Sequence, residues 1–154
     1  MSNYKLPASP RLNETLDMIV GNGVSAKEEG ALDLAGSSHF AIYVNREDET
    51  VAYAMCDLPV AAALGAALSM VPPGAAEDMV QSKELTEAAT ANLYEVMNIF
   101  SALYMDDDTD HLRLTEVKPA NDPSYAEIAD AKSTTYTIDV GRYGKGLVHF
   151  VSVK

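Results

Sequence analysis

The spacing of apolar side chains predicts one long amphipathic helix in the second half of the chain. No glycine or proline interrupts the sequence from Glu84 to Met105. At about 100° per residue, its apolar residues share one side of a helix; they are Leu85, Ala89, Leu93, Val96, Met97, Phe100, Leu103 and Tyr104. The opposite side is charged or small and carries Glu84, Glu87, Ala91, Glu95, Asn98 and Ala102. We therefore expect a helix from about Lys83 to Met105, with Ser82 as a candidate N-cap.

Two polar residues, Glu95 and Asn98, lie one turn apart at the centre of the predicted polar face. Their small neighbours Ala91 and Ala102 leave both head groups accessible to a large partner. Asparagine in a helix interior costs about 0.5–0.7 kcal/mol relative to alanine, because its side chain competes for backbone hydrogen bonds. The pattern alone favours two ordinary solvated surface residues over a binding site.

Alternating and periodic apolar residues predict further helices and strands along the chain. A helix should begin at Ser9-Pro10, and a mostly buried helix should cover 60–70 after Pro59. Strands are expected over 24–34, 39–44, 50–55, 111–118, 134–140 and 147–153. Residues 76–81 are expected to be a linker, and 120–132 a loop with a helical turn. The predicted fold is therefore α+β, a single domain over 1–154 in which 1–10 form a loose lead-in. Its antiparallel-rich sheet of five or six strands should carry helices on one face.

Composition excludes several classes of function. The chain has 154 residues, which suits one domain, and a formal net charge of −12. Nucleic acids and anionic membrane surfaces both require lysine and arginine, so neither is an expected partner. The single cysteine, Cys56, allows no intramolecular disulfide and fits a reducing cytoplasm. No run approaches the roughly 18 apolar residues of a membrane span, and no signal peptide is expected.

The other residues that could carry chemistry are interpreted as structural. The acidic run 106–110 would need Gly at 111 and Glu at 117 to form an EF-hand, but the chain has His111 and Val117. We expect a solvated turn there, with a weak cation site as the lesser alternative. The three histidines are not spaced as a metal pair. Cys56 is interpreted as a core residue, and the glycines of 141–146 as a turn between two strands rather than a phosphate loop.

The run Glu95-Val-Met-Asn98-Ile-Phe-Ser-Ala, with the strand ending at Lys118-Pro119, resembles the CheC/CheX/FliY family of chemotaxis phosphatases. That family carries Glu-x-x-Asn on an exposed helix, with a proline about twenty residues later. The order of elements from Arg11 to the C-terminus also matches. Longer members carry a second motif in an early helix, which this chain lacks. The resemblance therefore implies one site per chain, as in the shorter CheX-like members.

The resemblance implies a CheC/CheX-like fold and hydrolysis of the aspartyl phosphate on a CheY-like response regulator. Asn98 would orient the attacking water and Glu95 would dock the regulator. The chain would need no cofactor of its own, because Mg²⁺ would be carried by the regulator. The alternative is a non-catalytic module of the same fold that binds a regulator or a flagellar component. Departures from the family pattern favour this alternative. Ala91 stands where the family often has Asp or Ser, and Ser101 and Ala102 stand where the family tends to have Gly.

A homodimer is also expected, since the shorter family members resemble half of a duplicated scaffold. Pairing of edge strands would protect their exposed hydrogen-bonding groups. The hairpins near Tyr43 and Val148 are the expected contributors.

Overall fold

The computed structural model describes residues 4–21, 23–29, 37–119 and 132–153. Within these residues, six strands form one antiparallel sheet, and four helices pack on one of its faces. The helices are α1 (Ser9–Val20), α2 (Leu58–Leu68), α3 (Pro73–Ser82) and α4 (Glu87–Phe100). The strands are β1 (Ser25–Glu29), β2 (Ser37–Val44), β3 (Thr50–Asp57), β4 (Arg113–Pro119), β5 (Lys132–Asp139) and β6 (Lys145–Ser152). Their spatial order is β1-β5-β6-β3-β2-β4. The predicted α+β fold is confirmed. No described helix is long and apolar enough to cross a membrane.

Both faces of the sheet are apolar at its centre. Side chains alternate between the faces along a strand, so Ala41 and Tyr43 of β2 point toward the helices while Phe40 and Ile42 point away. The helix side belongs to the main core, which also contains Leu64, Leu93, Phe100, Phe150 and other residues of all the layers. A second, smaller cluster occupies the opposite face and consists of Phe40, Ile42, Val44, Tyr53, Met55 and Val151.

Helix α2 lies in the middle of the helical layer. Every residue from Val60 to Ala67 is buried, as expected for a segment that is apolar on most sides. It packs on the sheet through β6 and is flanked by α3 and α4. This confirms the predicted buried helix, although it begins at Leu58, earlier than 60.

Asp57 joins β3 to α2 and to β6 with its two carboxylate oxygens. Oδ1 accepts the N–H of Val60 at 3.0 Å and so caps α2, while Oδ2 accepts the N–H of Leu147 at 2.9 Å. An ideal Cβ on Gly146 would lie 2.2 Å from Oδ1, so only glycine leaves room for the carboxylate. Burial raises the pKa of the Asp57 carboxyl, and the two N–H donors act in the opposite direction.

Asp57→Asn is expected to lower the free energy of unfolding by about 1–2 kcal/mol, because an amide can accept only one of the two N–H groups and its NH₂ would face the other. Chemical denaturation measures this loss. Asp139→Asn is the matched control at the end of β5. Among the described contacts only Oδ1 of Asp139 accepts a bond, from the N–H of Gly141, so its amide should be tolerated. Equal losses in both variants would contradict this account of Asp57.

The prediction for the segment before α4 was wrong. Residues 76–81, expected to be a linker, belong to α3, which begins at Pro73. Proline stops a preceding helix, but it also suits the first turn of a new one, and here Pro72-Pro73 does both. Helix α3 ends at Ser82, and its C-cap residue Lys83 adopts a left-handed conformation with φ 60°. The start predicted for the long helix therefore falls on the C-cap of the previous helix.

The edges of the sheet also differ from expectation. The hairpins of β2–β3 and β5–β6 are confirmed. However, β2 lies between β3 and β4, and β6 lies between β5 and β3, so Tyr43 and Val148 are fully buried in interior strands. The two edge strands are β1 and β4. The expectation that these two hairpins provide edges for a dimer was wrong, because both hairpins are flanked by other strands.

The segment before α1 packs more closely than the loose lead-in that was expected. Tyr4 is 7% exposed and belongs to the main core. The carbonyl of Pro7 accepts the Tyr136 hydroxyl at 2.8 Å. The strand predicted over 24–34 is seen as β1, while 30–34 lie outside the described residues. Of the loop predicted over 120–132, residues 120–131 also lie outside them, and Lys132 is the first residue of β5.

Candidate functional site

Helix α4 carries Glu95 and Asn98, which we call the α4 site. The helix begins after Thr86, whose Oγ1 accepts the N–H of Ala89 at 3.1 Å. Ser82, the expected N-cap, instead donates its hydroxyl to the carbonyl of Met79 at 3.3 Å. The α-helix ends at Phe100 and continues as a 3₁₀ turn over Ser101–Tyr104. Apolar residues stay buried through this turn, so the predicted burial pattern holds although the helix type changes.

The N-terminal half of α4 is fixed to α2 by a close backbone approach. An ideal Cβ on Gly65 would lie 2.8 Å from Cβ and 3.0 Å from Cα of Ala89, so the two helices touch where Gly65 has no side chain. Next to this contact, Nδ2 of Asn92 donates to the carbonyl of Gly65 at 2.8 Å and also bonds Ser69. The close approach at Gly65 and the hydrogen bonds of Asn92 therefore together set the position of α4 on α2.

An aromatic cluster supports the C-terminal half of α4. Phe100 packs edge-on against Phe150 with ring centroids 5.5 Å apart, and Tyr104 and Tyr136 contact the same ring at 6.0 Å. Tyr43 packs against Tyr104 at 5.4 Å and donates its hydroxyl to the carbonyl of Met97 at 2.5 Å. The helical turn that carries Asn98 thus lies on a rigid, fully buried base.

The exposure predicted for the α4 site is confirmed. Glu95 and Asn98 are both exposed, while Met97 and Phe100 are completely buried. Neither the Glu95 carboxylate nor the Asn98 amide forms a hydrogen bond or an ion pair with any described residue. Two groups with full hydrogen-bonding capacity thus stand one turn apart on a helix that is anchored on its other side. Their roles in a reaction stay predictions.

Two large apolar side chains border the α4 site. Tyr94 is 40% exposed and Ile99 is 37% exposed. At 100° per residue, Tyr94 lies about 40° to one side of Asn98, and Ile99 about 40° to the far side of Glu95. A partner that covers the two polar groups would also contact these side chains. The face therefore combines a polar centre with apolar margins, as many protein interfaces do.

Arg11 of α1 stabilises the end of the site helix, a role that no pattern in the sequence indicates. Its guanidinium donates to the carbonyls of Ala102, Leu103 and Met105 at 2.8, 3.4 and 3.2 Å. A cation at this position also complements the negative end of the helix dipole. The acidic run that follows forms a turn in which Asp106 contacts Lys5 at 2.6 Å. Within the described ranges, no group of three or more His, Cys, Asp or Glu residues could hold a metal ion.

Pro119 lies away from the α4 site. It lines a cavity of about 660 Å³ with His39, Lys83 and Thr90 at the opposite end of α4. Thr90 precedes Asn98 by eight residues, or about 12 Å along the helix. Burial lowers the pKa of His39. The proline of the resembling motif therefore ends an edge strand and does not join Glu95 and Asn98.

Comparison with known proteins supports the fold. A scan against protein-family models finds no match, and neither does a search of curated proteins. Among solved structures, FliY of Thermotoga maritima has a TM-score of 0.62 at 16% identity, covering 92% of this chain and 82% of that one. CheX of Borrelia burgdorferi, in a complex with CheY, BeF₃ and Mg²⁺, has a TM-score of 0.61 at 14% identity, covering 90% of both chains. The chain has the CheX/FliY fold.

FliM shares this CheX/FliY fold. In its complex with FliG from H. pylori, the similar chain has a TM-score of 0.62 at 11% identity, covering 94% of this chain and 85% of that one. The resemblance to the CheC/CheX/FliY family is therefore confirmed at the level of the fold, which hosts more than one kind of protein partner. Because fold does not fix activity, function must be argued from the α4 site.

Proposed function

We propose that this protein is a phosphatase of a phosphorylated CheY-like response regulator. The observation that carries the proposal is the α4 site: an amide and a carboxylate, both exposed and without partners among the described residues, one turn apart on an anchored helix. A CheX of the same fold forms a complex with CheY, BeF₃ and Mg²⁺, which supports a partner of this kind. The pathway would then be chemotaxis or related two-component signalling in the cytoplasm.

The proposed reaction needs little covalent chemistry from this chain. A water oxygen bonds to phosphorus as the bond from phosphorus to the aspartyl oxygen breaks, which yields inorganic phosphate and a free aspartate. Holding the water in line with the leaving oxygen accelerates this step. The amide of Asn98 can both donate and accept a hydrogen bond, and it orients water without titrating. The Mg²⁺ that stabilises the phosphoryl charge belongs to the regulator in this proposal.

Glu95 is assigned the docking role because of its charge. A carboxylate approaching an anionic phosphoryl group is repelled unless the partner places a cation opposite it. No cation of this chain pairs with Glu95 in the described ranges, so the regulator would supply a lysine or arginine. Tyr94 and Ile99 would add apolar contact at the margins of the same interface.

A phosphate-release assay with catalytic amounts of the protein tests the proposal. A CheY-like regulator from the same source is phosphorylated in Mg²⁺, and release of phosphate is followed with and without this chain. Release of many phosphates per molecule at a rate above spontaneous loss supports a phosphatase. Tight binding without acceleration would contradict it and favour the non-catalytic module, for which the FliM fold and the departures at Ala91 and Ser101 are the specific observations. The first substitutions to try would then be Ala91→Asp and Ala102→Gly, which introduce the residues that the family tends to have at these positions.

Glu95→Gln is expected to raise KM several-fold while changing kcat little, because it removes the docking charge and keeps the side-chain size. The affinity of the wild type should fall as salt rises, since exposed charges are screened over about 8–10 Å at physiological ionic strength. The variant should respond to salt less. Steady-state kinetics at several salt concentrations measure both effects.

Glu87→Gln is the matched control for this charge change. Glu87 is exposed on the same helix, two turns and about 12 Å before Glu95. Its loss should leave KM nearly unchanged. An equal rise in KM for both variants would show a general charge effect and would contradict a specific contact at Glu95.

A further inference from the structure

Hydrogen bonding in α4 departs from the regular pattern at the turn that carries Asn98. In a continuing α-helix, the carbonyl of Met97 would accept the N–H of Ser101, four residues later. Here the N–H of Ser101, the C-cap of α4, bonds the carbonyls of Asn98 and Ile99, where the 3₁₀ turn begins. The carbonyl of Met97 is not among these acceptors, and its residue is completely buried. A buried carbonyl needs another partner.

Tyr43 supplies that partner from the sheet. It lies on β2, is completely buried, and donates its hydroxyl to the carbonyl of Met97 at 2.5 Å. Burial raises the pKa of the Tyr43 phenol well above its usual range, so the group keeps its proton and remains a donor. The contact spans 54 residues of sequence and joins the central sheet to the site helix.

The peptide group on the other side of Asn98 is held as well. The hydroxyl of Ser101 donates to the carbonyl of Asn98 at 2.6 Å. Each peptide group is planar, so a bond to its carbonyl also fixes its N–H. Both peptide groups that flank the Cα of Asn98 are therefore fixed by side-chain hydroxyls, one from the sheet and one from the same turn. These contacts set the direction in which the Asn98 side chain leaves the helix.

We propose that Tyr43 is a positioning residue for Asn98, holding the peptide group between Met97 and Asn98 so that the amide meets the attacking water at the correct place. The inference rests on the proposed phosphatase function. Tyr43 itself is buried and would not touch the regulator. Its effect should appear in the rate of the chemical step, because a misplacement of about 1 Å can cost up to about a hundredfold in rate.

Tyr43→Phe and Tyr104→Phe form a matched pair of tests. Each removes one hydroxyl that donates to a backbone carbonyl, with Tyr104 donating to Tyr53 at 2.6 Å. Both rings are completely buried in the same aromatic cluster, so the two losses of packing and stability should be alike. We expect Tyr43→Phe to lower kcat about tenfold with KM unchanged, and Tyr104→Phe to change kcat less than twofold. Equal losses of kcat in both variants would overturn the positioning role and leave only a structural one.

Amide hydrogen exchange tests the positioning without any assay of activity. We expect exchange across Asn98–Ser101 to become several-fold faster in Tyr43→Phe and to stay unchanged in Tyr104→Phe. Unaltered exchange in Tyr43→Phe would overturn the inference whatever the kinetics show. A wild type that does not accelerate phosphate loss would overturn the proposed function instead, and the exchange data would still decide whether Tyr43 holds this turn.

Discussion

Asn98→Ala is expected to lower kcat for phosphate release by about a hundredfold while leaving the fold and the affinity for the regulator intact. The variant deletes the group that orients water, and losses of this size follow when a reacting molecule is no longer held in line. Stability should stay equal or rise by about 0.5 kcal/mol, because alanine is the better helix former and the Asn98 amide has no described partner to lose. Kinetics and thermal unfolding of the same preparation measure both.

Asn92→Ala, on the same helix, is expected to give the opposite result: a loss of stability without a loss of activity. The Asn92 amide bonds the carbonyl of Gly65 and the hydroxyl of Ser69, so its loss should lower the free energy of unfolding by about 1 kcal/mol. Its activity at a temperature where it is folded should match the wild type. If Asn92→Ala loses activity as strongly as Asn98→Ala, the effect of Asn98 is not specific to water positioning.

Gly65→Val is expected to give the largest loss of stability, about 3 kcal/mol, which lowers the melting temperature by roughly 6–12 °C. Its side chain would meet the Cα and carbonyl of Ala89, and backbone atoms of a packed helix cannot move aside as a flexible side chain can. The two helices must separate, and the Asn92 bond to the Gly65 carbonyl would lengthen. Calorimetry measures the loss.

Gly74→Ala is the control for this substitution. Gly74 lies in the first turn of α3, and an ideal Cβ there meets nothing within 4 Å. Alanine should be tolerated or should stabilise by up to about 1 kcal/mol, because it favours the helix. A Gly65→Val protein as stable as Gly74→Ala would contradict the close approach of α2 and α4.

The sequence predicted what depends on periodicity. The apolar stripe of α4 placed Met97 and Phe100 inside and Glu95 and Asn98 outside, because a helix with one buried face must orient in this way. Alternation along β2 and β3 predicted their hairpin for the same reason. Such patterns arise because apolar surface must be buried, so they are visible in the sequence before any tertiary contact is known.

Contacts between distant residues were not predictable in this way. The Tyr43 bond to Met97, the Arg11 bonds to the end of the 3₁₀ turn and the approach of Gly65 to Ala89 each depend on how elements pack. The exact start of α4 was also missed, because Ser82 and Thr86 are both acceptable N-caps and only the left-handed turn at Lys83 excludes the first. The sequence therefore predicted which residues of α4 are exposed, but not the contacts that hold this helix in place.

A single-turnover experiment tests the water-positioning role of the α4 site most directly. A phosphorylated CheY-like regulator in Mg²⁺ is mixed with increasing excess of the wild type or of Asn98→Ala, and loss of the phosphoryl group is followed. We expect the wild-type rate to rise to a plateau at least tenfold above spontaneous loss. Asn98→Ala should saturate at the same concentrations but near the spontaneous rate. Equal plateaus for the two proteins would contradict the mechanism.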